Sequence, residues 1–282
     1  MKDNSRRTFI KTAAVLGSMS LIASESEKVN TPTLKFIHAT DTHMDLSNKS
    51  SVKSMELMVS HINKNYKDLD FVILGGDNFN NNTPGIKDAL LYKEILSKLH
   101  CPFYLVRGNK ESSPKPKDGL DAKGFAKLFF DSENMIISDR DWAVQKKGCQ
   151  ILGLDSSIDG QNNGLYKKET ITFAKKMLSK GLPTIILNHH PYSNYWGGTE
   201  PDDIHKYVLG NSDEVKKEFF GYKNLLMTLS GHKHIDSVSK VGHVNVIATR
   251  AYKRPLDGLR YPMRYVEVTG ADILEKLIYT VA

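Results

Sequence analysis

The sequence predicts an α/β or α+β domain built on mixed β-sheets with helices on the outside. Three observations carry that expectation. Short apolar runs alternate with stretches whose apolar residues recur at helical spacing through the first two-thirds of the chain. Strand-like alternation in hairpin pairs dominates the remainder. Of 282 residues, 40% are apolar and 25% charged, which suits a globular chain able to bury one large core. No repeat, low-complexity tract or linker interrupts residues 29–282, so one domain is expected there.

Residues 1–28 stand apart from that domain. Ser5-Arg6-Arg7-Thr8-Phe9 precedes the stretch TAAVLGSMSLIAS, which gives a charged start, a moderately apolar run and small residues near Ala23-Ser24. The paired arginines with Phe9 resemble the twin-arginine export motif. The expectation is a cleaved signal peptide, the twin-arginine export machinery as a partner, and a periplasmic mature protein. The apolar run is too short and too soft to span a bilayer, so no membrane span is expected in the mature form. That route carries proteins already folded in the cytoplasm.

The same segment explains part of the formal charge of +7. Within residues 1–24, Lys2, Arg6, Arg7 and Lys11 against Asp3 give +3, leaving about +4 for the rest. No basic stripe interleaved with aromatics accompanies it, so a nucleic-acid polymer is not expected as the main partner. Cys101 and Cys149 belong to no C-x-x-C pair, which argues against a thiolate metal site; one disulfide or two buried thiols both remain open.

The elements follow in order. Leu34, Phe36, Ile37 and Ala39 read as a buried strand that runs into Asp41-Thr42-His43. Residues 51–66 place Met55, Met58, Val59, Ile62 and Tyr66 on one helical stripe, with His61 off it and expected in solvent. Asp70-Phe71-Val72-Ile73-Leu74 is a second buried strand closed by Gly75-Gly76-Asp77, where glycine permits a sharp turn. Residues 86–99 form a second amphipathic helix. Phe103–Val106 is a third strand, ending in Arg107-Gly108-Asn109-Lys110-Glu111. A Ser/Pro/Lys loop at 112–119 precedes a short helix over 121–131. The run WAVQKKGCQILGLDSS reads as a hairpin turning at Lys147-Gly148. A helix over 169–180 stops at Gly181, and Thr184–Leu187 is a strand ending in Asn188-His189-His190-Pro191. Residues 212–220 suggest a helix capped by Ser212. Leu225–Leu229 is a strand closed by Ser230-Gly231-His232-Lys233-His234, and the tail alternates as paired strands.

Five strand ends therefore carry Asp41 and His43, Asp77, Asn109, His189, and His232 with His234. In an open α/β sheet, functional groups gather where strand C-termini meet their loops, so these seven residues can converge. Four imidazoles, two carboxylates and one amide oxygen, with no sulfur, suit Mn, Fe, Co or Zn better than Ca. Seven ligands are too many for one ion and fit two divalent ions sharing one carboxylate. Two ions about 3.5–4 Å apart clamp the attacking and leaving oxygens of a phosphoryl displacement.

Taken in order, D-x-H, G-D, G-N, H-x-P and G-H-x-H resemble the calcineurin-like metallophosphoesterases over roughly residues 33–270. Gly153-Leu154-Asp155-Ser156, the His189-His190-Pro191 run and the closing YPMRYVEV resemble most the class III cyclic-nucleotide phosphodiesterase branch. The resemblance implies a four-layer αββα sandwich with two mixed sheets. It implies that Asp41, His43 and His234 hold a first metal ion, that Asn109, His189 and His232 hold a second, and that Asp77 bridges. A hydroxide shared by the ions would attack phosphorus in line. The implied function is hydrolysis of phosphodiester or related phosphoanhydride bonds in small phosphorylated substrates. Phosphomonoesterase (nucleotidase) action and a partly inactive metal-binding protein are the alternatives.

The sequence departs from that pattern at Lys110, where the family usually carries His after the Asn. Lysine keeps a positive charge but is a poor proton donor near neutral pH, so Lys110 is expected to stabilise phosphoryl charge. His190 is read as either a phosphate contact or a packed neighbour. Tyr192, Tyr195 and Trp196 are expected to pack, with stacking on a substrate as the lesser reading. His38 is expected to be structural, and His100, His205 and His243 have no partner pattern. Arg250, Arg254 and Arg260 are expected at the surface.

Overall fold

The computed structural model describes residues 31–113, 119–130, 133, 135–194 and 199–280. The segment expected to direct export, most of the Ser/Pro/Lys loop, and Tyr195 with Trp196 lie outside the described residues. No helix of the described residues is long and apolar enough to cross a membrane.

Two mixed sheets organise the chain. The first has the order β12-β11-β1-β2-β3, formed by β1 (Thr33–Ala39), β2 (Phe71–Leu74), β3 (Phe103–Leu105), β11 (Pro262–Thr269) and β12 (Asp272–Tyr279). The second has the order β4-β5-β6-β7-β8-β10-β9. Its strands are β4 (Ile136–Ser138), β5 (Asp141–Lys146), β6 (Cys149–Gly153), β7 (Thr184–Leu187), β8 (Leu225–Ser230), β9 (Ser237–Val241) and β10 (Val244–Ala248). β1, β2 and β3 run parallel, as do β6, β7, β8 and β10, and the remaining strands pair antiparallel.

Alternation along the strands sets the layers, because successive side chains point to opposite faces. Ile185 and Leu187 of β7 join the large core that also holds Phe36, Phe71 and Leu105 of the first sheet. Ile186, between them, joins a second core with α5 (Lys168–Leu178) and α6 (Ser212–Phe219) through Phe173, Met177 and Val215. The first sheet meets α1 (Lys49–Asn65) and α2 (Lys87–Leu96) through Met55, Met58, Tyr92 and Ile95. The result is the expected order of helices, sheet, sheet, helices. Two short helices complete the set, α3 (Asn109–Ser112) directly after β3, and α4 (Ala122–Phe129).

Several local expectations are refined. The β5–β6 hairpin turns at Lys147 and Gly148, both left-handed at φ 49° and 78°, the geometry of a tight two-residue turn. β4 pairs outside β5 and is too short to show as a periodic signal. His61 is buried, not solvated, because Tyr66 and Asn65 at the end of α1 fold against its ring. Ser212 opens α6 but does not cap it. Asn211 holds the cap position and spends its side chain on the Tyr166 backbone, accepting from N–H and donating to C=O at 3.1 Å each. Cys101 and Cys149 are separate buried thiols.

Asp141, at the start of β5, is a buried carboxyl whose Oδ1 accepts the Asp155 N–H at 2.8 Å. Burial pushes it up to about 7, against pull from the Asp155 N–H and the Thr170 hydroxyl. An unfolded chain releases this proton near pH 4, whereas the folded chain keeps it until near 7. Stability is therefore lost as pH rises through that window, and the penalty is complete above it. Asp141→Asn should flatten the fall in urea-unfolding free energy between roughly pH 4 and pH 8; an unchanged slope would refute the assignment.

Candidate metal centre

The loops after the parallel strands meet at one end of both sheets. The loops after β1 and β2 stay paired beyond the strands: Asp41 N–H donates to Gly76 C=O at 3.0 Å, His43 N–H to Asp77 C=O at 2.9 Å and Met44 N–H to Asn78 C=O at 3.0 Å. On the other sheet, Gly231 N–H donates to His189 C=O at 3.0 Å. The halves are joined by His232 N–H donating to Asp41 Oδ2 at 2.9 Å.

The backbone is strained where the donors sit. Asp41, His43, Asp77, His232 and His234 all have positive φ, between 47° and 66°. Left-handed backbone is uncommon outside glycine and costs of order 1–3 kcal/mol when held, so its concentration here marks a site over-determined by its surroundings. Two glycines make the approach possible. Gly76 turns the chain at φ 88°. Gly231 lies so close that an added Cβ would stand 2.0 Å from Thr40 Oγ1 and 2.2 Å from Asp41 Oδ2.

The seven predicted donors come together in two groups. Asp41, His43, Asp77 and His234 form one, and His189 and His232 fall in the other with His190. His234 Nε2 lies 3.0 Å from Asp41 Oδ1. Asp77 faces both groups, with Oδ2 3.4 Å from His43 Nε2 and Oδ1 3.5 Å from His189 Nε2. Asn109 Oδ1 is 3.2 Å from His189 Nε2, while its Nδ2 donates to Asn162 Oδ1 at 3.1 Å.

Hydrogen bonds behind the rings fix which nitrogen is bare. His189 Nδ1 donates to Gly75 C=O at 2.8 Å, and His232 Nε2 donates to Lys206 C=O at 2.8 Å. A neutral imidazole has one N–H, so His189 Nε2 and His232 Nδ1 face each other at 3.1 Å as two lone pairs. Asn80 Nδ2 donates to Asp45 Oδ2 at 3.3 Å, which turns its Oδ1 toward His43 Nδ1 at 3.0 Å. His43 Nε2 is then left buried without a hydrogen-bond partner, 3.8 Å from Asp41 Oδ1 and near Asp77. Opposed lone pairs and an orphaned imidazole nitrogen beside two carboxylates are what a cation would satisfy. The nitrogen and oxygen donor set fits two divalent ions of intermediate softness.

The electrostatics agree. Burial alone would raise the Asp41 carboxyl, but contacts with His234 and His43 hold it well below the usual range. Burial drags the His232 imidazole down to about 4, and His189 adds to that. His189 differs: burial works the same way, yet Asp77 and Asp41 outweigh it and raise its pKa, so the carboxylates draw positive charge into the gap between the rings, a proton or a cation.

His190 is not open to a substrate. Its ring is fully buried, Nε2 donates to Asn162 C=O at 3.0 Å, and Nδ1 lies 2.8 Å from Ser156 Oγ. Both nitrogens are spent inside the protein, which corrects the reading of His190 as a phosphate contact. Tyr192 packs fully buried, its hydroxyl 2.7 Å from that of Tyr166. His38 is structural, with Nδ1 2.9 Å from Thr249 Oγ1.

Adjoining cavities open over the donors. One of about 470 Å³ is lined by Asp77, Asn109, Lys110, His232, His234 and Lys253 among others. Another, of about 480 Å³, shares His43, Asn109, Lys110 and Lys253 and reaches Ser113 at the start of the Ser/Pro/Lys loop. Lys110 lines both, as its sequence position implies. No sequence signal marked His205, Tyr207 or Lys253 for this rim: His205 sits in a single 3-10 turn (Pro201–Lys206), Tyr207 just after it and Lys253 in a turn, none with a strand-end signature. Glu111 was also missed. Its buried carboxylate accepts N–H groups from Asp77 (3.1 Å), Asn78 (2.6 Å), Phe79 (3.0 Å) and Gly108 (2.6 Å). A glutamate three residues after a glycine that opens a helix was the available signal.

An αββα sandwich with two donor groups sharing a carboxylate at its strand ends defines a metal-dependent hydrolase of the dinuclear kind. Residues 34–236 match the calcineurin-like phosphoesterase family, and the chain belongs to that family, whose members hydrolyse phosphoesters with a pair of metal ions. A probable glycerophosphodiester phosphodiesterase of Arcobacter nitrofigilis is 27% identical over 207 residues, covering 70% of this chain and 71% of that protein. A probable cyclic nucleotide phosphodiesterase of Psychrobacter arcticus is 23% identical over 184 residues, covering 64% of this chain and 62% of that protein. Among solved structures, a dimetal phosphatase of Danio rerio superimposes with a TM-score of 0.64 at 12% identity, covering 88% of this chain and 99% of that one.

Proposed function

We propose that this chain cleaves phosphodiester or related phosphoanhydride bonds in small phosphorylated substrates outside the cytoplasm. The observation that carries this reading is Asp77, whose two carboxylate oxygens address two separate donor groups. Asp41, His43 and His234 would hold one divalent ion, Asn109, His189 and His232 the other, and Asp77 would serve both. Mn, Fe or Zn suits these donors. When bound, such a pair supplies Lewis acidity and lowers the pKa of water.

The chain's own residues do the positioning. Gly75, Lys206 and Asn80 fix the ring tautomers so that bare nitrogens point inward. His190 holds the Asn162 backbone, and the Asn162 side chain turns Asn109 so that its amide oxygen faces the centre. Lys110 supplies fixed positive charge beside the phosphoryl oxygens.

The diester preference is supported by both sequence relatives, each a probable phosphodiesterase. The twin-arginine-type segment supports export, and with it extracytoplasmic nucleotides, glycerophosphodiesters or a lipid-linked diphosphate as targets. Purified Mn-loaded protein assayed on bis(p-nitrophenyl) phosphate and p-nitrophenyl phosphate tests the reading. Faster turnover of the diester is expected. Monoester preference would make the chain a phosphomonoesterase, and silence on both would leave a metal-binding protein.

A further inference from the structure

We propose that Lys253 is a substrate-positioning residue that binds the anionic phosphoryl group of the substrate together with Lys110. This inference rests on the phosphoester reading of the same site. Lys253 lines both cavities described above and also a third, of about 330 Å³, that adjoins His43 on the side of α1. It stands where the three spaces meet.

Its backbone is fixed there. Tyr252 N–H donates to Thr40 C=O at 2.8 Å and Lys253 N–H to Asp41 C=O at 3.2 Å, so the segment after β10 is stitched to the strand end that carries Asp41. The Tyr252 ring is fully buried and its hydroxyl donates to Ser54 C=O at 2.6 Å, which anchors that stitch from below. Only the lysine side chain is left to move.

Two ammonium groups, from α3 and from this distant segment, face the same space. Among the described residues neither Lys110 nor Lys253 has an ion-pair partner. Nearby cations do: Lys206 pairs with Asp203 at 2.6 Å, and Arg260 with Asp257 at 2.7 Å. Like charges kept close, with no carboxylate in ion-pair contact, favour an anion between them. Asp41 and Asp77 attract Lys253 from a distance, but neither forms an ion pair with it and both turn their oxygens to the imidazoles. A phosphoryl group above Asp77 would meet Lys110 and Lys253 from two parts of the chain, and a charge-assisted contact from each would hold its oxygens in one orientation.

The test uses the full mature chain loaded with Mn, with inorganic phosphate as the probe. Lys253→Ala, Lys253→Met and Lys253→Arg are compared with wild type for Mn content and for phosphate binding by calorimetry. Loss of one hydrogen bond to a charged group corresponds to about tenfold or more in affinity. Phosphate binding is expected to weaken by that factor in Lys253→Ala and Lys253→Met at unchanged Mn content, and to recover in Lys253→Arg. KM for the best substrate should rise by a similar factor, with kcat changed less. Wild-type phosphate affinity in Lys253→Met overturns the proposal. So does loss of Mn from that variant, which would place Lys253 in support of the donors instead. If wild type hydrolyses no phosphoester while Lys253→Met still binds phosphate more weakly, the phosphoester reading fails and the role of Lys253 stands.

Discussion

Asp77→Asn is expected to lower phosphoester turnover by at least about a hundredfold and to reduce bound metal below two ions per chain. Asp77 addresses His43 with one oxygen and His189 with the other, so a single amide in its place can serve one donor group at most. The fold should survive, because the substitution removes a charge that repels the buried Glu111 carboxyl. Metal analysis beside kcat distinguishes the outcomes. Two tightly held ions with near wild-type turnover would remove Asp77 from the centre of the mechanism.

Glu111→Ala is expected to cost on the order of 4 kcal/mol of stability, since four buried N–H groups lose their acceptor at once. For a domain of this size that is a fall in Tm of about 10 °C. Glu111→Gln should fare little better. Each carboxylate oxygen accepts two N–H groups, and the amide nitrogen would set donors against donors. Burial and the neighbouring Asp77 push the Glu111 carboxyl up to about 7, while the N–H bonds from Phe79 and Gly108 pull it back. Thermal unfolding of the two variants checks this, and a Tm within about 2 °C of wild type for Glu111→Ala would refute it.

The strands and the donors at their ends were legible for one physical reason. A buried parallel strand reads as a continuous apolar run, so a polar residue at its end stands out. Asp41, Asp77, Asn109, His189 and His232 all announce themselves in this way. Lys253 and His205 do not, because their segments reach the rim through backbone hydrogen bonds and turns that leave no periodic trace. His190 misled for the opposite reason. Its neighbour His189 is a donor, but Ser156 and Asn162, which occupy the His190 ring, are distant in sequence. His61 shows the same limit, since Tyr66 and Asn65 widen the covered face of α1 beyond its apolar stripe.

Asp41, His43, Asp77 and Asn109 follow strands of one sheet, while His189, His232 and His234 follow strands of the other. Any ion gripped by Asp41 with His234, or by Asn109 with His189, is therefore a rivet driven through the seam of the sandwich. A bound ion would also oppose local opening of that seam, so metal should slow hydrogen exchange in the loops on both sides of it.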